Sequence, residues 1–246
     1  MAPGLAAQPP QTSDNAPDAP WTPHTVLSTL PHQPQPHSAS PLPFFHLLER
    51  LKTTKREGWR RFGISHGESI SDHMYRMSII TLLCPPALAA RLDIARCTRM
   101  ALIHDMAEAL VGDITPVDGV PKAEKSRRET ETMEYLCTSL LGNAAGPQAR
   151  EMRAVWQEYE DSETAEAHFV HDVDKMELLL QMMEYERSRE GRLDLGEFAW
   201  VAKRIVLPEV QVWADELLEE RRVFWAEQGV GETADVTEER KTQQDE

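Results

Sequence analysis

Apolar residues recur at three- and four-residue intervals in nearly every segment between the two ends of this chain, and runs that alternate apolar with polar are scarce. Such spacing lines up one stripe of a helix, whereas a half-buried strand needs a period of two. The pattern predicts an all-α fold. A first helix is expected over residues 43–54. A second begins at the polar SISD and carries HMYRMSIITLLC until Pro85-Pro86 stops it. A third starts near Asp93 and contains LIHDMAEALVGD. Pro121 opens a fourth, KAEKSRRETETMEYLCTSLL, ended by Gly142-Asn143. Residues 148–160 and 163–187 form the fifth and sixth, and a Gly-rich break follows. The last helix, 208–227, sets Val210, Trp213, Leu217 and Phe224 on one side against acids on the other.

The remaining composition narrows the class. The first 43 residues hold 11 of the 17 prolines with many Ala, Gln and Ser, a mixture that buries too little apolar surface to repay ordering, so residues 1–43 are expected to be a disordered arm. No Lys or Arg precedes Arg50, which argues against a secretory or mitochondrial leader and points to the cytosol or nucleus. Residues 227–246 read as a second loose, acidic tail, leaving 44–226 as one domain. No apolar run approaches the roughly 20 residues of a membrane span. A net charge of −15, from 41 acids and 26 bases, repels nucleic acid. The cysteines, Cys84, Cys97 and Cys137, are odd in number and lack a CxxC, as expected of reduced thiols.

Against that background LIHDMAEALVGD is anomalous. His104, Asp105 and Glu108 lie three and four residues apart and can share one side of a helix, with Met100, Ile103, Ala107 and Val111 packing around them. Buried imidazole and carboxylate must be paired with each other or must bind something, because unpaired buried charge is costly. A satisfied core His–Asp pair is the bland reading. The chain repeats the dipeptide at His171-Asp172, where the apolar stripe of Val170, Val173, Met176 and Leu180 favours Asp174 as the inward carboxylate and leaves His171 and Asp172 solvated. His73 shares a stripe with Met77 and Ile80. Two imidazoles and two carboxylates from three helices would form an open N/O site for a divalent ion such as Mn²⁺, Co²⁺, Fe²⁺ or Zn²⁺.

A His 31 positions before a His-Asp pair and an Asp 69 after it resembles the H…HD…D signature of HD-domain phosphohydrolases. REGW at 56–59, ESISDHMYRM at 68–77, LIHDMAEALVGDI at 102–114, VPKAEKSRRE at 120–129 and FVHDVDKMELLLQMMEYE at 169–186 are similar to the HD-domain 5′-deoxynucleotidases. These comprise the bacterial YfbR-type enzymes and the eukaryotic HD-domain-containing protein 2 group. The resemblance covers residues 44–226. It implies a helical HD bundle with a mononuclear metal site, a homodimer, and metal-dependent removal of the 5′-phosphate from deoxyribonucleoside monophosphates. By position, His73, His104, Asp105 and Asp174 match metal ligands, and Glu108 and Asp113 match active-site acids. Arg56 and Trp59 match residues near the substrate phosphate and sugar, although Arg and Trp are adjacent in the bacterial enzymes and Glu57-Gly58 separates them here.

The basic run Lys122, Lys125, Arg127 and Arg128 reads as a solvated helix face. Two rivals stand beside the nucleotidase: an HD hydrolase of nucleoside triphosphates or phosphodiesters, and a non-catalytic HD-fold interaction protein. The remaining histidines form no second HD-type motif, and a binding module has no need of buried charges.

Overall fold

A computed structural model describes residues 20–229. The expected acidic tail falls almost wholly outside these, as do residues 1–19. Among the described residues there is no strand, only one isolated bridge between Lys55 and Ser69. Twelve α-helices follow in order: α1 (Pro23–Leu27), α2 (Leu42–Leu47), α3 (Glu49–Thr53), α4 (Glu57–Arg60), α5 (Ile70–Leu82), α6 (Pro86–Ala89), α7 (Ile94–Ile103), α8 (Glu108–Val111), α9 (Lys122–Glu134), α10 (Gly142–Asp161), α11 (Ala165–Ser188) and α12 (Pro208–Glu227). A π-helical segment, Tyr135–Leu140, prolongs α9, and 3₁₀ turns occupy Pro116–Asp118 and Gly196–Arg204. No described helix is long and apolar enough to cross a membrane.

Local chemistry sets several of these boundaries. Ser69 and Asp72 exchange side-chain and backbone hydrogen bonds at the start of α5, a reciprocal cap that satisfies two otherwise orphaned N–H groups. Asp93 caps α7 and Thr164 caps α11. α10 begins earlier than its periodicity suggests, but Ala145 at φ −151° interrupts it just before Pro147. The expected Gly-rich break after α11 contains the 3₁₀ segment, which folds back over α11.

α5, α7, α10 and α11 pack on one another, and α12 lies along α11. α11 is the central rod: Phe169, Val170, Val173, Met176, Leu179, Met182 and Met183 are buried around most of its circumference. Its buried acids are all partnered. Glu186 accepts from the Leu195 N–H and from Arg221 and Trp225. Asp172, expected in solvent, is fully buried; its Oδ2 accepts the N–H groups of Val206 and Leu207, 3.0 and 2.8 Å away, where the chain enters α12. That expectation fails because the group that buries and satisfies Asp172 is backbone more than thirty residues downstream, which leaves no mark on the α11 pattern.

The arm expected to be loose throughout 1–43 is packed in its described part. α1 lies against α8 and α9, with Pro23 and Leu27 buried; Arg127 donates to the Trp21 carbonyl, and the His37 N–H bonds Ser139 O at 2.6 Å. Proline density misled here because Pro23 sits in the first turn of α1, where its missing N–H costs nothing, behind the Thr22 cap. The apolar stripe of α12 packs on its own domain: Val210 and Leu217 are buried, and Trp213 and Phe224 lean on the core.

Candidate metal centre and substrate cleft

The HD pair does not lie within one continuous helix, which corrects the sequence reading of a single third helix. α7 ends at Ile103 with His104 as its C-cap, and the chain tightens into i→i−3 hydrogen bonds, Met106 to Ile103 and Glu108 to Asp105, as it enters α8. The break tips Asp105 toward α5 and α11 while keeping Glu108 on the same wall. Gly112, at φ +78°, then reverses the chain, a conformation that strains any residue with a Cβ. The reversal sends Asp113 back over α4, where its Oδ2 accepts the Glu57 N–H at 2.6 Å.

Two imidazoles face each other across this break with ring centres 5.5 Å apart. His104 Nδ1 lies 3.0 Å from the Ala101 carbonyl, so it donates there and presents Nε2 as a lone pair. His73 Nδ1 lies 2.5 Å from Glu177 Oε2, and the guanidinium of Arg76 braces Glu177. Both Nε2 atoms are buried and lack a hydrogen-bond partner. His73 Nε2 is 3.2 Å from Asp174 Oδ1, and His104 Nε2 is 3.2 Å from Asp105 Oδ2. His73, His104 and Asp105 have ligand atoms within 4.8 Å of one another, a spacing that can hold an ion. Orphaned imidazole nitrogens flanked by carboxylates fit a divalent N/O-loving metal.

The electrostatics are those of a site short of positive charge. Burial alone would raise the Asp105 and Asp174 carboxyls, but His104, His73 and Arg56 overrule it and hold both well below the ordinary carboxylate range. Burial, then repulsion by Arg56, opposes protonation of His73, yet the carboxylates of Asp174 and Glu177 beside it push it to about 10. Glu108 goes the other way: burial first, then repulsion by Asp105 and Asp113, drives it well above its usual value, and its Oε2 is unpartnered.

The centre opens into a cleft of about 520 Å³, within the size range of small-molecule sites. Seven of the eight residues singled out in the sequence, Arg56, Trp59, His104, Asp105, Glu108, Asp113 and Asp174, line it; His73 lies directly behind. Arg56, the residue before α4, bonds Asp105 Oδ2 through Nη1 at 3.2 Å. Trp59 is both packing and wall: 3% exposed, it donates Nε1–H to Glu68 Oε1 at 2.7 Å and packs on Phe198 and Tyr185 with ring centres 4.8 and 5.3 Å away. A broader groove along α12 is lined mainly by acids and carries no imidazole.

Sequence reasoning missed several lining groups. Tyr159 reaches Asp174 Oδ2 from 3.4 Å and stacks on His171; its place beside Val155 and Trp156 on the inward stripe of α10 was the available signal. Phe198 gave no signal, coming from a segment without helical period. Lys122, Lys125, Ser126 and Glu129 of α9 also line the cleft, so the basic run is not one solvated face.

An all-α bundle that converges two imidazoles and two carboxylates on a substrate-sized cleft belongs among the metal-site hydrolases. The chain belongs to the HD domain family, whose model matches residues 48–213. It is 47% identical over 190 residues to "5′-deoxynucleotidase hdd1" of Schizosaccharomyces pombe, covering 77% of this chain and 94% of that one. It is 41% identical over 182 residues to "5′-deoxynucleotidase HDDC2" of Homo sapiens, covering 73% and 85%. The solved structure of the HD domain-containing protein YGK1 matches with a TM-score of 0.61 and 34% identity over 84% of this chain and all of that one. HD domains are metal-dependent, in accord with the unsatisfied imidazole pair.

Proposed function

We propose that this protein is a metal-dependent 5′-nucleotidase that hydrolyses deoxyribonucleoside 5′-monophosphates to nucleoside and phosphate. The observation that carries the reading is the pair of buried, partnerless Nε2 atoms of His73 and His104, flanked by Asp105 and Asp174 at the floor of a cleft that also holds Arg56. The names of the relatives supply the substrate class.

His73, His104, Asp105 and Asp174 would hold the ion, and the donor set suits Mn²⁺, Co²⁺, Fe²⁺ or Zn²⁺. Bound there, a dication supplies a Lewis acid for the phosphoryl oxygens and lowers the pKa of an attacking water. Glu108 would orient the attacking water and take up its proton. Asp113, fixed by the Glu57 N–H, is placed to hydrogen-bond the sugar or to help return a proton to the leaving 5′-oxygen. Arg56 grips phosphate oxygens with its planar fork. Trp59, locked by Glu68, Tyr185 and Phe198, offers an unyielding apolar wall to the sugar and disfavours a 2′-hydroxyl that would find no partner on it.

The protein acts in the cytosol or nucleus as a homodimer. Tyr75, Ile79, Leu82 and Leu83 expose an apolar stripe along α5 that suits a second copy, and light scattering in solution tests it. The decisive experiment is phosphate release from chelator-stripped protein, resupplied with each metal, on dAMP, AMP, dATP and bis(p-nitrophenyl) phosphate. Metal-restored release from dAMP, lost in His104→Ala, is the expected outcome. Turnover of dATP or the diester alone would replace the reading with a triphosphatase or phosphodiesterase.

A further inference from the structure

The basic run on α9 divides by direction. Arg127 is bound to Glu124, Glu131 and the Trp21 carbonyl, and Arg128 to Glu124 with its guanidinium 5.5 Å over the Trp21 ring; these two belong to the contact with the arm. Lys125 belongs to the cleft. Its side chain is 34% exposed, half-buried beside a Glu129 that is only 13% exposed, and Nζ stands 3.6 Å from Glu129 Oε1, beyond hydrogen-bond length. Lys125 lines this cleft together with Asp105, Glu108 and Asp113, from the wall supplied by α9.

The charge balance of the cleft gives that ammonium a task. Arg56, the cation assigned above to the phosphate, spends one nitrogen on Asp105, Arg61 is paired loosely with Glu197, and Lys122 is exposed. A phosphomonoester brings two negative charges into a lining that includes Glu108, Asp113, Glu129 and Glu160. We infer that Lys125 is a phosphate-binding residue of this site, moving from its loose contact with Glu129 onto a non-bridging oxygen and favouring dianionic monoesters over monoanionic diesters. The inference rests on the phosphomonoesterase reading and adds to it a residue on α9.

Calorimetric titration of inorganic phosphate into the Mn²⁺-loaded full chain, with KM and kcat for dAMP alongside, tests it. In Lys125→Met, phosphate affinity is expected to fall about tenfold or more and the KM for dAMP to rise in step, as for loss of one charge-assisted hydrogen bond, with metal content unchanged. Lys125→Arg recovers part of both. Glu129→Gln removes the same ion pair and keeps phosphate affinity. Unchanged phosphate affinity in Lys125→Met, or an equal loss in Lys125→Met and Glu129→Gln, overturns the assignment and leaves the lysine a structural partner. If the wild type binds phosphate but does not turn over dAMP, the nucleotidase reading falls while the phosphate titration still decides the role of Lys125.

Discussion

His73 and His104 are held by different devices that do the same work. A carboxylate in one case and a backbone carbonyl in the other take the Nδ1 proton, which fixes the tautomer and aims Nε2 into the cleft. On the proposed ligand set, His104→Ala should abolish both metal retention, read by elemental analysis, and hydrolysis. Glu108→Gln keeps the four proposed ligands, so if Glu108 handles the proton as proposed kcat should fall about 10²- to 10⁴-fold with metal still bound. Glu68 gives a pH test in the metal-free protein. Burial, then repulsion by Glu177, raises its carboxyl to about 7. A carboxyl raised on folding favours the native state when protonated, so stability drains away as pH climbs from its unfolded value to about 7 and is flat beyond. Glu68→Gln, which can still accept from Trp59, should gain on the wild type across that window by no more than about 3 kcal/mol, measured by urea denaturation at pH 5 and pH 8. A pH-independent difference would contradict the assignment.

Between α7 and α8 the geometry of the proposed centre depends on a broken helix. Periodicity placed His104 and Glu108 on one side and the structure keeps them on one wall, but by a tight turn, after which the left-handed Gly112 redirects Asp113. The glycine was visible in the sequence only as a turn former; its effect, docking Asp113 on the first N–H of α4, needed the fold. No atom crowds a Cβ at Gly112, so Gly112→Ala should cost only the strained conformation, about 1–3 kcal/mol, and should lower kcat by displacing Asp113. The arm offers a second test. Leu27 is 5% exposed where α1 lies on α8 and α9, so Leu27→Ala should destabilise the protein by about 2–4 kcal/mol in chemical denaturation, as a core position does and a disordered one does not.

For the molecule as a whole, metal binding and folding are linked. Carboxylates and imidazoles that repel or stand orphaned in the bare site are brought together at a cost that a dication offsets, and binding to the folded state alone raises stability by mass action. Metal at about a hundred times its Kd should lift the melting temperature by about 5–10 °C, chelator should reverse this, and His104→Ala should abolish it.

The helical period, the stripe on each long helix and the H…HD…D spacing are local or arithmetic properties of the chain, and they determined the all-α class, most helix positions and a donor set that the structure brings together. Tertiary structure alone decided the rest: which nitrogen of each imidazole is free, that Asp172 is buried rather than solvated, that α1 packs on α8 and α9 and His37 bonds Ser139, and that Lys125 turns inward while Arg127 and Arg128 turn out. Most of these depend on a partner far away in the chain, Glu177 for His73, the Val206 and Leu207 N–H groups for Asp172, Ser139 for His37 and the Trp21 carbonyl for Arg127, while His104 is fixed one turn back by Ala101. Periodicity reports which face of an element is apolar, whereas a distant polar partner contributes nothing to that pattern and becomes visible only when the elements are packed.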